Sequence, residues 1–227
     1  MLLNNLPKAI IFFGPDGSGK STQADLLIRE LNVRKIRNKK IWIRSLHTLA
    51  FLISKVAMHT LRLSHIYELR SRYANNSFFR TTWSFIEFIS ILIPIILKFS
   101  VPIRQGYVMV AERFVIDWIV SLAFALDQHS LVNGRLANQA LHFIPKNSLL
   151  VYIDANYDAI AMRRPIEDSH EFIEFQRSCY SKFAKELHAL TIDSSDKNID
   201  EVYALIRNSI FQDYPQSHGH DRRKYHL

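Results

Sequence analysis

Apolar residues in this chain fall into short, nearly unbroken runs, separated by longer stretches where they recur every third or fourth position. Five runs read as strands: Ala9–Phe13, Lys40–Ile43, Tyr107–Ala111, Leu149–Ile153 and Leu190–Ile192. Runs without polar alternation suit strands covered on both faces, as in a parallel sheet. After the first run, Ala24, Leu27, Ile28 and Leu31 recur at helical spacing while Gln23, Asp25, Arg29 and Glu30 fall on the other side, which predicts an amphipathic helix. Further helices are predicted from Leu46 to about Leu63, over 84–98, over Ile116–Leu126, in a short piece ending near Pro145, over Ala159–Arg163, from Glu171 to about Leu187, and around Val202, Leu205, Ile206 and Ile210. Strands alternating with helices predict an α/β fold of three layers, a five-stranded parallel sheet with helices on both faces. At 227 residues and with no linker-like stretch, the chain is expected to form one domain over 1–211, followed by a disordered basic tail over 212–227.

One stretch strains this pattern. Phe88 to Leu97 is almost wholly apolar, but Glu87 and Lys98 bracket only ten residues and Pro94 interrupts them. A bilayer span needs about 20 residues, so the stretch is expected to be a buried helix and no membrane partner is expected. The polar stretch with Arg70, Arg72, Asn75, Asn76 and Arg80 reads as a loop or broken helix facing a ligand. Lys and Arg number 29 against 21 Asp and Glu, a net charge of +8. That balance suits anionic ligands, although a nucleic acid or an acidic membrane would be served by it as well. The single cysteine, Cys179, excludes an internal disulfide, fits a reducing cytoplasmic compartment and reads as a small apolar filler.

The candidate chemistry lies in Gly14-Pro15-Asp16-Gly17-Ser18-Gly19-Lys20-Ser21-Thr22. This segment satisfies G-x-x-x-x-G-K-[ST] between a predicted strand and a predicted helix, which is the context the motif requires. Glycines let backbone N–H groups converge on phosphate oxygens, the helix N-terminus adds positive potential, Lys20 can reach the β- and γ-phosphates, and the Ser21 hydroxyl can ligate Mg²⁺. The expectation is a P-loop NTPase fold that binds a nucleoside triphosphate. Ligands in open parallel sheets sit beyond the carboxyl ends of the strands. The charged pair Glu112-Arg113 ends the third strand, Arg44 follows the second, and Arg163-Arg164 follows the helix after the fourth, a set of cations suited to phosphoryl transfer. No N-K-x-D for guanine occurs. Asp154, at the end of the fourth strand, reads as a turn residue and is left out of the site.

Together these segments resemble the thymidylate kinases and related nucleoside-monophosphate kinases. Gly14–Thr22 is similar to that family's G-x-D-G-[AS]-G-K-[ST]-T, and Gly106-Tyr-Val-Met-Val-Ala-Glu-Arg-Phe114 to its G-x-x-V-x-x-D-R-Y, with Glu112 and Phe114 in place of Asp and Tyr. Leu149–Asp154 with Ala159–Arg163, and Thr191–Ser195 with Val202 and Ile206, resemble its fourth strand with an Arg-bearing lid and its closing adenine-side loop and helix. The resemblance implies ATP- and Mg²⁺-dependent transfer of a phosphoryl group to a nucleoside monophosphate, thymidylate first among acceptors. It also implies roles: Asp16 on the acceptor ribose, Arg44 and Arg113 on its phosphate or the transferring group, Ser21 and Glu112 on Mg²⁺, and Arg163 and Arg164 in a lid over about 163–171. A homodimer is compatible with it, and a nucleic-acid partner is not expected. The main alternatives are a kinase for a nucleoside or other small hydroxyl acceptor, and a nucleotide-binding regulator associated with nucleic acid.

Overall fold

The structure, a computed structural model, describes residues 6–43, 49–62, 73, 76–163, 165 and 169–211. Five strands, β1 (Ala9–Phe13), β2 (Asn38–Trp42), β3 (Val108–Arg113), β4 (Ser148–Asp154) and β5 (Leu190–Asp193), form one sheet in the order β2-β3-β1-β4-β5. All neighbours are parallel, with Ile10 beside Val110 on one side and Leu149 on the other. Alternation along β1 shows why its sequence is apolar throughout. Ala9, Ile11 and Phe13 enter one buried cluster, whereas Ile10 and Phe12 enter another on the opposite face.

The second of these clusters is closed by α1 (Lys20–Val33) through Ala24, Leu27 and Leu31, and by α9 (Ile199–Phe211) through Val202, Ile206 and Ile210. Across the sheet lie α2 (Leu49–Leu61), α3 (Ser77–Pro94), α4 (Val101–Arg104), α5 (Val115–Ala125), α6 (Arg135–Leu141) and α8 (His170–Glu186). The short α7 (Tyr157–Arg163) connects β4 toward α8. The predicted three-layer α/β architecture is therefore present. Asn76 caps α3, accepting from Phe79 N–H at 3.0 Å, and Ser169 caps α8 by accepting from Phe172 N–H at 3.1 Å, so α8 begins one residue earlier than expected.

The apolar stretch departs from its expectation in two ways. Pro94 does not end it: α3 runs into a π-helical turn over Ile95–Ser100 and then into α4. Nor is it a buried helix, because only one side faces the core. On that side Trp83, Ile91, Ile95 and Phe99 pack inward. Glu87 lies among them at 1% exposure, its carboxylate accepting from the indole N–H groups of Trp83 and, at 3.3 Å, Trp118. Ser90, on the same side, accepts the Ala50 N–H at 2.8 Å and so docks α2.

Candidate active site

The carboxyl ends of β1, β3 and β5 open into a cleft of about 840 Å³. Its floor is the loop between β1 and α1. Gly14, Gly17 and Gly19 have φ of 143°, 92° and 98°, values that side chains with a Cβ rarely adopt. At Gly14 the constraint is doubled, because an added Cβ would stand 2.1 Å from the Ile153 carbonyl oxygen of β4. Gly19 is the N-cap of α1 and offers no side-chain acceptor, and the first turn of α1 carries no acidic residue. The leading N–H groups of α1 thus lack a capping side chain at the cleft, an arrangement that attracts anions.

Lys20 does not extend into solvent. It is 4% exposed, and Nζ donates to the carbonyls of Gly14 at 2.8 Å and Pro15 at 2.6 Å, 3.6 Å from an Asp16 oxygen. Burial lowers its pKa, while Asp16 pulls the other way. The loop backbone holds the ammonium.

Two further contacts cross from the loop to β3. The Ser21 hydroxyl donates to the Glu112 carboxylate, so the two residues expected to share a cation are brought together. Arg113 forms a buried-side ion pair with Asp16. Glu112 and Arg113 are thus not an ion pair of their own, and each faces a different part of the loop. The carboxylate of Asp16, which would repel phosphate by itself, has its counter-charge in Arg113.

Arg163 ends α7 and reaches back to the cleft. It donates to the Ser194 hydroxyl at 3.0 Å, to the Ser194 and Ser195 carbonyls, and to the Gly17 carbonyl at 3.5 Å. Ser194 also binds the Asp154 carbonyl through its N–H and its hydroxyl, both at 2.9 Å. These bonds tie the loop after β5 to the P-loop. That loop lines the cleft through Ser194 and Lys197, opposite Thr22. Arg44 and Arg164 lie outside the described residues, as does the middle of the expected lid.

Three participants escaped sequence reasoning. Lys40 of β2 stands 2.8 Å from Glu112 and 2.7 Å from Asp25; burial works against its charge, but hydrogen bonds to these carboxylates raise its pKa. Asp117, in the first turn of α5, is 3% exposed and accepts from Phe114 N–H and from the Tyr180 hydroxyl, each at 3.2 Å. Burial pushes its pKa up to about 6, outweighing the pull of Arg113 and Lys20. Arg177 of α8 holds Asp154 with Nε at 3.0 Å and Nη2 at 3.1 Å. Only Lys40 carried a signal, as a lysine next to an apolar pair in a strand.

No family model matches the chain, and no curated protein does. Among solved structures it is similar to thymidylate kinase from Candida albicans, with a TM-score of 0.64 over 90% of this chain and 91% of that one, at 18% identity. The chain has the α/β fold of that structure, a five-stranded parallel sheet with helices around it. At that identity the likeness extends to architecture alone. Within that fold the two departures seen in the sequence have local explanations. Phe114 is fully buried, its ring 4.4 Å from that of Phe99, a position with no need of a hydroxyl. The extra methylene of Glu112 lets its carboxylate reach Ser21 and Lys40 together.

The donor set also suits a divalent cation. Ser21 and Glu112 supply oxygen ligands alone, and Mg²⁺ characteristically takes one or two protein oxygens with water and phosphate completing the shell. Elsewhere among the described residues there is no cluster of three or more His, Cys, Asp or Glu suited to a metal. Cys179 is buried, and burial pushes its thiol up to about 11, in keeping with a filler role.

Proposed function

We propose that this protein is an ATP- and Mg²⁺-dependent kinase that transfers the γ-phosphoryl group of ATP to a nucleoside monophosphate in the cytoplasm, with thymidylate the first acceptor to test. The observation that carries the reading is the convergence of an uncapped P-loop helix with Glu112 and Arg113 from the end of β3. Ser21 meets one of these residues and Asp16 the other. In this reading Gly14 to Thr22 cradle the ATP phosphates, and Lys20 exchanges the Gly14 and Pro15 carbonyls for β- and γ-phosphate oxygens. Arg113 and Arg44 bear on the transferring group and the acceptor phosphate. Asp16 accepts the acceptor's ribose 3′-OH, a charge-assisted bond of roughly 1.5–3 kcal/mol. Arg163 and Arg164 contribute from the lid side. Mg²⁺, held by Ser21 and Glu112, would neutralise charge on the phosphate oxygens. Little covalent work is required of the protein, because phosphoryl transfer depends on positioning and charge neutralisation.

The test is a panel of the common nucleoside monophosphates and nucleosides, scored by ADP formation and by identification of the phosphorylated product. Acceptor-dependent ADP formation with a diphosphate product is expected. Turnover only with nucleosides would replace this reading with a nucleoside kinase, and ATP binding without any turnover would favour a nucleotide-binding regulator.

A further inference from the structure

Strands β2 and β3 pair in step from Asn38 beside Val108 to Ile41 beside Ala111, and then Trp42 stands beside Arg113. Glu112 is therefore the extra residue of a bulge, a device that re-aims a side chain where pairing ends. Alternation along the strands fixes the direction. Ile41 and Ala111 enter the cluster on one face of the sheet and Val110 enters the cluster closed by α1, so Lys40 and Glu112 stand on the face that α1 covers. On α1, Asp25 lies one turn beyond Ser21, on the same side of the helix.

Four side chains from three elements close a ring there. The Ser21 hydroxyl donates to Glu112 Oε1. Lys40 Nζ stands 2.8 Å from Glu112 Oε2 and 2.7 Å from Asp25 Oδ1, and α1 carries both Asp25 and Ser21. The two oxygens of Glu112 thus have different neighbours, a hydroxyl on one and an ammonium on the other. We propose that Lys40 is a positioning residue for the metal: it holds Oε2 of Glu112 so that Oε1 is presented beside Ser21. This rests on the reading that Ser21 and Glu112 hold Mg²⁺. Partners behind a ligating carboxylate orient it and tune the metal. A glutamate has one more rotatable bond than an aspartate, and a clamp on its far oxygen removes that freedom before the metal arrives. Without the ammonium, Glu112 and Asp25 would face each other with like charge, and the longer side chain of Glu112 would swing away from Ser21.

Two other roles for Lys40 fit the ring less well. A surface ion pair contributes little to stability and would need only Asp25, whose side chain is 55% exposed. The contact to Glu112, with a side chain 17% exposed, is the more enclosed of the two. A cation that repels the metal would need charge to spare, whereas here one ammonium faces two carboxylates.

The experiment is Mn²⁺ binding to the full chain with saturating ADP, read from the free-ion electron paramagnetic resonance signal, with Mn²⁺ standing in for Mg²⁺. Lys40→Met is expected to weaken Mn²⁺ binding about tenfold, the worth of a partner behind a metal ligand, with a melting temperature within a few degrees of wild type. Lys40→Arg should restore most of the affinity. In a Glu112→Asp background, whose shorter side chain loses its reach to Lys40, Lys40→Met should add little, so the two losses do not sum. Unchanged Mn²⁺ affinity in Lys40→Met would overturn the proposal. Tighter binding would overturn it too, by showing a repelling cation, and losses that sum would place the effect of Lys40 away from Glu112. Wild-type protein that binds ADP but no Mn²⁺ would instead overturn the metal role of Ser21 and Glu112 on which the proposal rests.

Discussion

Glu112 is the residue on which most of the proposed chemistry converges, since its carboxylate reaches Ser21 and Lys40 together. Replacing it by Gln keeps the shape and removes the charge. Glu112→Gln is expected to lower turnover at least tenfold and to shift the Mg²⁺ requirement upward, with a melting temperature within a few degrees of wild type, because partly exposed ion pairs contribute little to stability. An unchanged rate across a Mg²⁺ titration would show a purely structural Glu112. Asp117 offers a prediction of another kind. Burial raises its carboxyl from the ordinary 3.8 to about 6 in the folded protein, so between those values the folded state binds the extra proton. Stability from this group is present in full below the lower value and is lost as pH rises through the upper one. Chemical denaturation at pH 4.5 and pH 7 should show Asp117→Asn gaining about 2 kcal/mol on wild type over that interval. A constant difference between the two proteins would mean that the carboxyl is not perturbed.

At the scale of elements, helix α3 has a buried and an exposed side, and substitution separates them. Ile91 is fully buried and Ile93 is 46% exposed. Ile91→Ala should cost about 2–4 kcal/mol through lost burial and an unfilled cavity, whereas Ile93→Ala should stay within about 0.5 kcal/mol in chemical denaturation. Equal effects would contradict the assigned faces. The lid proposed over 163–171 is tested by hydrogen exchange, which should slow there when both nucleotides bind, since closing lids exclude water from the reacting groups. Exchange indifferent to ligands would point to a fixed connection. The P-loop and the flanking β1 and α1 were legible in the sequence because backbone demands are written directly in residue type. Positive φ calls for glycine, and burial on both faces calls for the unbroken run Ala9–Phe13. The stretch from Phe88 to Leu97 was legible as a helix but not as one with an exposed side, since an unbroken apolar run does not say which of its residues meet the core.

Across the whole molecule, what the sequence could place was the order of the strands along the chain and the sites at their ends. What it could not place were partnerships made by segments far apart. Lys40 meets Glu112 because β2 and β3 are neighbours, and Tyr180 meets Asp117 because α8 packs on α5. Neither approach leaves a periodicity or a spacing to read. Lys20 is held within its own loop by the Gly14 and Pro15 carbonyls, so Lys20→Met removes loop hydrogen bonds as well as charge, at a cost of about 1–3 kcal/mol. The central claim is that the cleft above β1, β3 and β5 passes the γ-phosphoryl group of ATP to a second nucleotide. Its most direct test is a single-turnover reaction with γ-labelled ATP and an equal concentration of thymidylate, run on wild type and on Lys20→Met. Label is expected in the nucleoside diphosphate with wild type, and the rate is expected to be at least a thousandfold lower with the variant. Label released only as inorganic phosphate, or transfer by the variant at the wild-type rate, would contradict it.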